Sequence, residues 1–155
     1  MTDKPTYVYV TYIKTTAEKV WQALTDGEIT RQYWGGNRNV SDWQVGSEWR
    51  HLNGDDVFGV GRVIESDRPR RLVVTWGYPA DAGDPTKHDR VTFDIAEDQG
   101  VVRLTVMNEN VEPGSGSAEA WPKVLCGLKT LLETGEALPP FWAREGSDWR
   151  NLRFA

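Results

Sequence analysis

Residues 43–110 form an almost unbroken series of strand patterns joined by short turns, and this series restricts the folds that the chain can adopt. Short connections between successive strands favour antiparallel neighbours. The turn Asn53-Gly54-Asp55-Asp56 is the clearest hairpin signal, and Gly46 is interpreted as a bulge. The predicted strands are Trp43 to Leu52, Phe58 to Glu65, Arg71 to Tyr78, Asp89 to Ala96 and Val101 to Asn110.

One long helix is predicted after these strands, following the Gly/Ser-rich linker 112–117. The segment Ala118 to Glu133 has apolar residues at helical spacing, and Gly135 is a suitable C-cap. Pro122 suits a first helical turn or a kink, so the alternative is that the helix proper starts there. Cys126 is interpreted as a small buried packing residue. The apolar stripe consists of Val124, Leu125, Leu128, Leu131 and Leu132.

The first 36 residues predict one strand and two short helices. Tyr7 to Ile13 is rich in β-branched and aromatic residues, which is typical of a strand. The sequence 15–18, Thr-Thr-Ala-Glu, matches a capping box before a first helix. Glu28 to Trp34 predicts a second helix, ended by Gly35-Gly36. We therefore expect an α+β fold in which a curved sheet of about six strands wraps around a long C-terminal helix and leaves a ligand-sized cavity.

The same residues resemble a known family in the same order along the chain. Val20 to Asp26, Gly61 to Glu65, Arg70 to Trp76, Val102 to Val106 and Leu128 to Glu133 resemble proteins like the activator of the ninety-kilodalton heat-shock protein ATPase. The resemblance implies the helix-grip fold of the START-like (SRPBCC) superfamily, which includes birch-pollen-allergen-like proteins. It implies little about function, because one fold carries many activities.

The segments 1–137 and 138–155 are predicted to differ in role, the first being the helix-grip domain and the second a tail. Disordered segments are usually poor in aromatic residues, so we expect this tail to pack on the domain, over the cavity mouth or the outer end of the sheet. A homodimer contact through the tail is the competing interpretation. The large apolar residues of the tail are Phe141, Trp142, Trp149, Leu152 and Phe154.

Charge and composition disfavour several classes of partner. The net charge is −5 and no block of Lys or Arg is present, which argues against a nucleic-acid partner. No apolar run approaches the roughly 20 residues of a transmembrane segment, and no secretory signal is visible at the start. Cys126 is the only cysteine, so an internal disulfide is excluded and a cytoplasmic location is expected.

No catalytic, metal or cofactor motif is readable. His51 and His88 stand alone in the sequence, without a second ligand at metal-binding spacing, and each is interpreted as a structural or surface residue. Gly59-Val60-Gly61 lacks the third glycine and the helix of a dinucleotide site, so glycines at strand bulges are the better interpretation. We therefore expect no catalytic residue, no metal and no cofactor.

The remaining functional candidates are aromatic and polar residues on the predicted inner face. Strand parity directs Asn108 and Asn110 towards the cavity mouth. The alternative is that these side chains simply fill the core. The favoured function is non-catalytic binding of a small apolar or amphipathic molecule; the alternatives are an enzyme of cyclase, dehydratase or hydrolase type and a co-chaperone-like interaction module. The predicted ligand-binding residues are Trp34, Trp49, His51, Trp76, Phe93, Asn108, Trp121 and Leu125.

Overall fold

A seven-stranded antiparallel sheet forms the frame of the protein in a computed structural model that describes residues 4–139. The strand order is β1-β7-β6-β5-β4-β3-β2, so β2 to β7 form a meander and β1 joins the last strand. Tyr7 pairs with Asn108 across that junction. The strands are β1 Tyr7–Ile13, β2 Arg38–Ser41, β3 Glu48–Asn53, β4 Asp56–Asp67, β5 Arg71–Trp76, β6 Asp89–Asp98 and β7 Val101–Glu109.

Three helices complete the fold: α1 Ala17–Thr25, α2 Gly27–Tyr33 and α3 Ser117–Thr134. The apolar stripe of α3 packs into a core with the inner face of the sheet, and Leu128 at its centre has no exposed surface. The register shifts between His51 and Leu52 in β3 and between Val63 and Glu65 in β4. Such irregularities bend a sheet. The predicted helix-grip fold is confirmed, with seven strands instead of about six.

The start of α1 differs from the predicted capping box. Thr16 is the N-cap, and its Oγ1 accepts a hydrogen bond from the amide of Lys19 at 3.3 Å. Glu18 binds the side chain of Arg68 instead of returning to the N-cap amide. The predicted box between Thr15 and Glu18 was therefore wrong. The N-cap is one residue later, at Thr16, and Glu18 does not complete a box. Arg68, in the turn after β4, forms an ion pair with the carboxylate of Glu18.

The predicted strand Trp43 to Leu52 was wrong in its first half. Trp43 has a φ of 55°, and Gly46, with a φ of 88°, lies in a turn rather than at a bulge. The amide of Gly46 donates to the carbonyl of Val63 at 2.8 Å, which ties this turn to β4. The sequence reading also missed β2, which is only four residues long.

Helix α3 begins at Ser117, one residue before the predicted Ala118, and continues through Pro122, so the alternative start at Pro122 is wrong. Proline has no amide hydrogen, and the carbonyl of Ala118 therefore lacks its usual helical donor. The hydroxyl of Tyr9 in β1 donates to that carbonyl at 3.4 Å. Cys126 is exposed on the outer side of α3, which corrects the prediction that it is buried.

The aromatic residues 141–154 of the tail lie outside the described residues. Within residues 4–139, no helix combines the length and the apolar character needed to cross a membrane.

Candidate functional site

A cavity of about 270 Å³ lies between the inner face of the sheet and the N-terminal half of α3. Strands β3 to β7 supply its floor and sides, and Ser117, Ala120, Trp121 and Val124 of α3 form its roof. The residue after α2, Trp34, closes one wall. Ligand pockets in proteins usually measure about 300–1,000 Å³, so this cavity suits a small molecule.

Tryptophan rings form the apolar wall of the cavity. The ring centroid of Trp34 lies 5.8 Å from that of Trp76 and 5.5 Å from that of Trp121. Trp76 and Trp121 are 6.4 Å apart in a near-perpendicular arrangement. Edge-to-face aromatic contacts of this kind are favourable. The three rings thus form one continuous aromatic surface, contributed by the residue after α2, by β5 and by α3.

Two glycines of β4 make room for the indole rings on the floor. A Cβ atom on Gly59 would clash with Nε1 of Trp76. A Cβ atom on Gly61 would clash with the carbonyl oxygen of Thr75 and with Trp49. Trp49 donates its indole N–H to that same carbonyl at 2.6 Å. The predicted role of these glycines as strand residues is confirmed, and the close approach of side chains explains why glycine is needed.

A chain of hydrogen bonds places two polar groups on the cavity surface. The indole N–H of Trp121 donates to Oδ1 of Asn108 at 3.0 Å. The amide nitrogen of Asn108 donates to Oδ2 of Asp89 at 3.2 Å. Asn108 is almost completely buried, and these two bonds orient its amide. Burial raises the pKa of the Asp89 carboxyl, because desolvation disfavours the ionised form.

A buried histidine stands beside the aromatic wall. Nδ1 of His51 lies 2.6 Å from Oδ1 of Asn39, its neighbour on the adjacent strand β2. An amide oxygen only accepts, so Nδ1 carries the proton in this contact. The ring centroid of His51 lies 4.7 Å from that of Trp76. The structure therefore gives His51 a fixed orientation on the floor of the cavity.

The rim of the cavity carries paired charges. Lys4 binds Glu112 at 3.0 Å, and Lys87 binds Asp81 at 3.6 Å. His88 holds the loop between β5 and β6, with Nε2 at 2.8 Å from the carbonyl oxygen of Asp81. These contacts order the segments on both sides of the opening.

The structure brings together most of the predicted ligand-binding residues. Trp34, His51, Trp76, Asn108 and Trp121 line the cavity. Trp49, Phe93 and Leu125 are buried in the adjoining core and are not among the lining residues. Whether the lining residues contact a ligand stays a prediction.

Asn110 does not reach the cavity, contrary to the parity argument. It has a φ of 61°, which ends the regular alternation of β7. Its amide donates to the carbonyl of His88 at 2.9 Å and so anchors the loop before β6.

Asp89 is one of several polar lining residues that were not predicted from the sequence; Asn37, Lys87 and Glu112 are others. Val91, Phe93 and Ile95 are buried on the inner face of the same strand, and Asp89 continues their alternation by one step. The same parity rule that selected Asn108 on β7 therefore also selects Asp89 on β6.

No group of three or more His, Cys, Asp or Glu side chains able to hold a metal ion occurs within residues 4–139. The side chains that line the cavity offer aromatic faces, the amides of Asn37 and Asn108, the carboxyl groups of Asp89 and Glu112, the amino group of Lys87 and the imidazole of His51.

Known structures share this fold. A protein from Cytophaga hutchinsonii is 26% identical, with a TM-score of 0.70 over 87% of this chain and 98% of that chain. A protein from Mesorhizobium loti is 22% identical, with a TM-score of 0.68 over 83% of this chain and 96% of that chain. The Aha1 dimer from Colwellia psychrerythraea is 19% identical, with a TM-score of 0.68 over 84% and 98% of the two chains.

Comparison by sequence gives the family. A search of curated proteins finds no match. The family model described as Activator of Hsp90 ATPase homolog 1-like protein matches residues 14–133, which include every element from α1 to nearly the end of α3. The chain therefore belongs to the family of Activator of Hsp90 ATPase homolog 1-like proteins.

Proposed function

We propose that the protein binds a small apolar or amphipathic molecule in the cavity between the sheet and α3. The observation that carries this proposal is the aromatic wall of Trp34, Trp76 and Trp121 beside the polar pair Asn108 and Asp89. An apolar surface with a few placed polar groups is the usual composition of a small-molecule site. The volume of about 270 Å³ favours a compact ligand over a long-chain lipid.

Tryptophan fluorescence and thermal unfolding test this proposal together. A panel of eight-carbon alkyl and small aromatic probes is titrated against the protein at pH 7. Bound probes should change the emission of the cavity tryptophans and raise the melting temperature, because a ligand that binds only the native state stabilises it.

Paired variants locate the response. Trp76→Phe removes part of the aromatic wall and should weaken probe binding about tenfold or more. Trp43→Phe is the control, because Trp43 packs on Trp49 and is not among the cavity-lining residues. Equal weakening in both variants, or no response to any probe in the wild-type protein, would contradict binding in this cavity.

A second candidate function, an enzyme of cyclase, dehydratase or hydrolase type, is favoured by Asp89. A carboxyl group of raised pKa in a cavity is a candidate general acid or base. Mass spectrometry of probes recovered after incubation tests for turnover. A product formed by the wild-type protein and absent with Asp89→Asn supports the enzyme, whereas unchanged probes support a binder.

The third candidate, an interaction module, is favoured by the outer face of β1. Val8, Val10 and Tyr12 are each more than half exposed there, in a row along an edge strand. The family description names an activator of the Hsp90 ATPase. Stimulation of that ATPase by the wild-type protein, lost in Val8→Lys/Val10→Lys, would support this candidate.

A further inference from the structure

Asp89 is the polar group of the cavity whose charge is least compensated. It lies on the inner face of β6, at the start of the strand, and is about half buried. Oδ2 accepts one hydrogen bond, from the neutral amide of Asn108. Within residues 4–139, no lysine, arginine or histidine forms an ion pair with it.

The lysines nearest the opening form their ion pairs with other carboxylates, and Lys4 and His88 act on Asp89 only at longer range. Lys4 binds Glu112 at 3.0 Å, and Lys87 binds Asp81 at 3.6 Å. Glu112 also lines the cavity, so it adds a second carboxylate to the rim. Two acidic groups and one cation, Lys87, therefore line the cavity, and that cation already has a carboxylate partner.

The aromatic wall, like the carboxyl groups, favours a positively charged ligand. The faces of aromatic rings carry partial negative charge, and tryptophan attracts a cation more strongly than other rings do. Trp34, Trp76 and Trp121 line the cavity together with Asp89. In the pairing of β5 with β6, Trp76 is directly opposite Asp89, so the carboxyl group stands beside an indole ring.

We infer that the ligand carries a basic nitrogen, and that its ammonium group binds the Asp89 carboxylate while its apolar body packs on the tryptophan rings. This inference rests on the proposed binding function and specifies the ligand class. A charge-assisted hydrogen bond from an ammonium group compensates a partly buried carboxylate better than a neutral donor does. Burial raises the pKa of Asp89, and Asn108, Lys4 and His88 offset this only in part, so an ammonium group in direct contact would stabilise the carboxylate further.

Three probes of equal chain length test the inference: octylamine, 1-octanol and octanoate. They carry a positive, a neutral and a negative head group at pH 7, and are titrated below their micelle concentrations by calorimetry and tryptophan fluorescence. We expect octylamine to bind about tenfold more tightly than 1-octanol, and octanoate to bind more weakly than 1-octanol.

Asp89→Asn should remove this ranking. Asparagine keeps an oxygen that can accept from Asn108, and retained binding of 1-octanol shows that the variant is folded. Asp55→Asn is the control for net charge, because Asp55 is exposed in the turn between β3 and β4 and is not a lining residue. This variant should keep the preference for octylamine.

The outcomes separate the two proposals. Equal affinity for octylamine and 1-octanol, or tighter binding of octanoate, overturns the inference while leaving a cavity binder. A preference for octylamine that survives in Asp89→Asn also overturns it. Absence of binding by all three probes counts against the proposed function itself.

Discussion

At the scale of single residues, the proposed binding role of Asp89 comes with a cost to stability. Its pKa is raised above the ordinary value of 3.8, chiefly by desolvation, and the hydrogen bond from Asn108 offsets only part of that effect. A carboxyl group whose pKa is raised in the folded state disfavours folding once it ionises. The penalty is absent below about pH 3.8, where both states are protonated, and complete above the raised pKa.

Asp89→Asn should therefore unfold at a higher temperature than the wild-type protein at pH 7. The difference should shrink as the pH falls through the raised pKa towards 3.8, because the wild-type carboxyl group becomes neutral. Thermal unfolding followed by circular dichroism between pH 3 and 8 measures it. Lys4 and His88 attract the Asp89 carboxylate and Glu112 repels it, and Asp89→Asn removes these interactions together with the charge. A difference that grows on acidification would contradict this assignment.

Residue parity predicted part of the site and could have predicted more. It placed Asn108 on the inner face of β7, where the structure shows it among the lining residues. It failed at Asn110, because a positive φ ends the strand before that residue. The hydrogen bonds that join Trp121, Asn108 and Asp89 link α3, β7 and β6. Such contacts depend on the packing of elements distant in the chain, which a local pattern cannot give.

At the scale of elements, β4 determines how closely the indole rings approach the sheet. Gly61→Ala should lower the free energy of unfolding by about 3 kcal/mol, because the new methyl group would meet the backbone oxygen of Thr75 and the ring of Trp49. Chemical denaturation measures the change. Gly83→Ala is the matched control, since no atom lies within 4 Å of a Cβ at that position. Equal stability of the two variants would show that β4 tolerates a side chain.

Helix α3 provides a second test of the packing. Leu128→Ala should lower the free energy of unfolding by about 2–5 kcal/mol, because Leu128 is fully buried against the sheet. Cys126→Ala, two residues earlier on the exposed side of the same helix, should be nearly neutral. Denaturation curves of the two variants decide the matter. A small effect of Leu128→Ala would be incompatible with a helix gripped by the sheet.

The elements that the sequence predicted well have a strong local signal. Strands β6 and β7 alternate clearly, and α3 has a continuous apolar stripe. Strand β2 has only four residues and exposes Val40, its one aliphatic residue, so neither length nor alternation marks it. Trp43 is aromatic and therefore typical of a strand, yet it adopts a positive φ. Its indole N–H binds the carbonyl of Thr25 at 2.7 Å, a tertiary contact that outweighs strand propensity.

At the scale of the whole molecule, the two ends of α3 have different surroundings. Its N-terminal half covers the cavity through Ser117, Ala120 and Trp121. Its C-terminal end is held at the end of β1, where the amide of Lys14 donates to the carboxylate of Glu133 at 2.9 Å. The tail 138–155 therefore follows from the end of α3 that lies away from the cavity. Eighteen extended residues reach on the order of 60 Å, so both the cavity mouth and the outer sheet are within range.

Removal of Phe141 to Ala155 tests the expectation that this aromatic tail packs on its own domain. The deletion should lower the melting temperature, since burial of tryptophan and phenylalanine stabilises the folded chain. The number of subunits in solution should stay the same. A full-length variant with Trp142→Ser and Trp149→Ser is the matched control for chain length, and it should reproduce much of the loss.

Thermal unfolding, light scattering after size exclusion and octylamine titration give the three readouts. Faster probe exchange after deletion places the tail over the cavity mouth, whereas unchanged exchange places it on the outer sheet. A fall from dimer to monomer mass would establish the competing interface, and no change in any readout would refute packing of the tail.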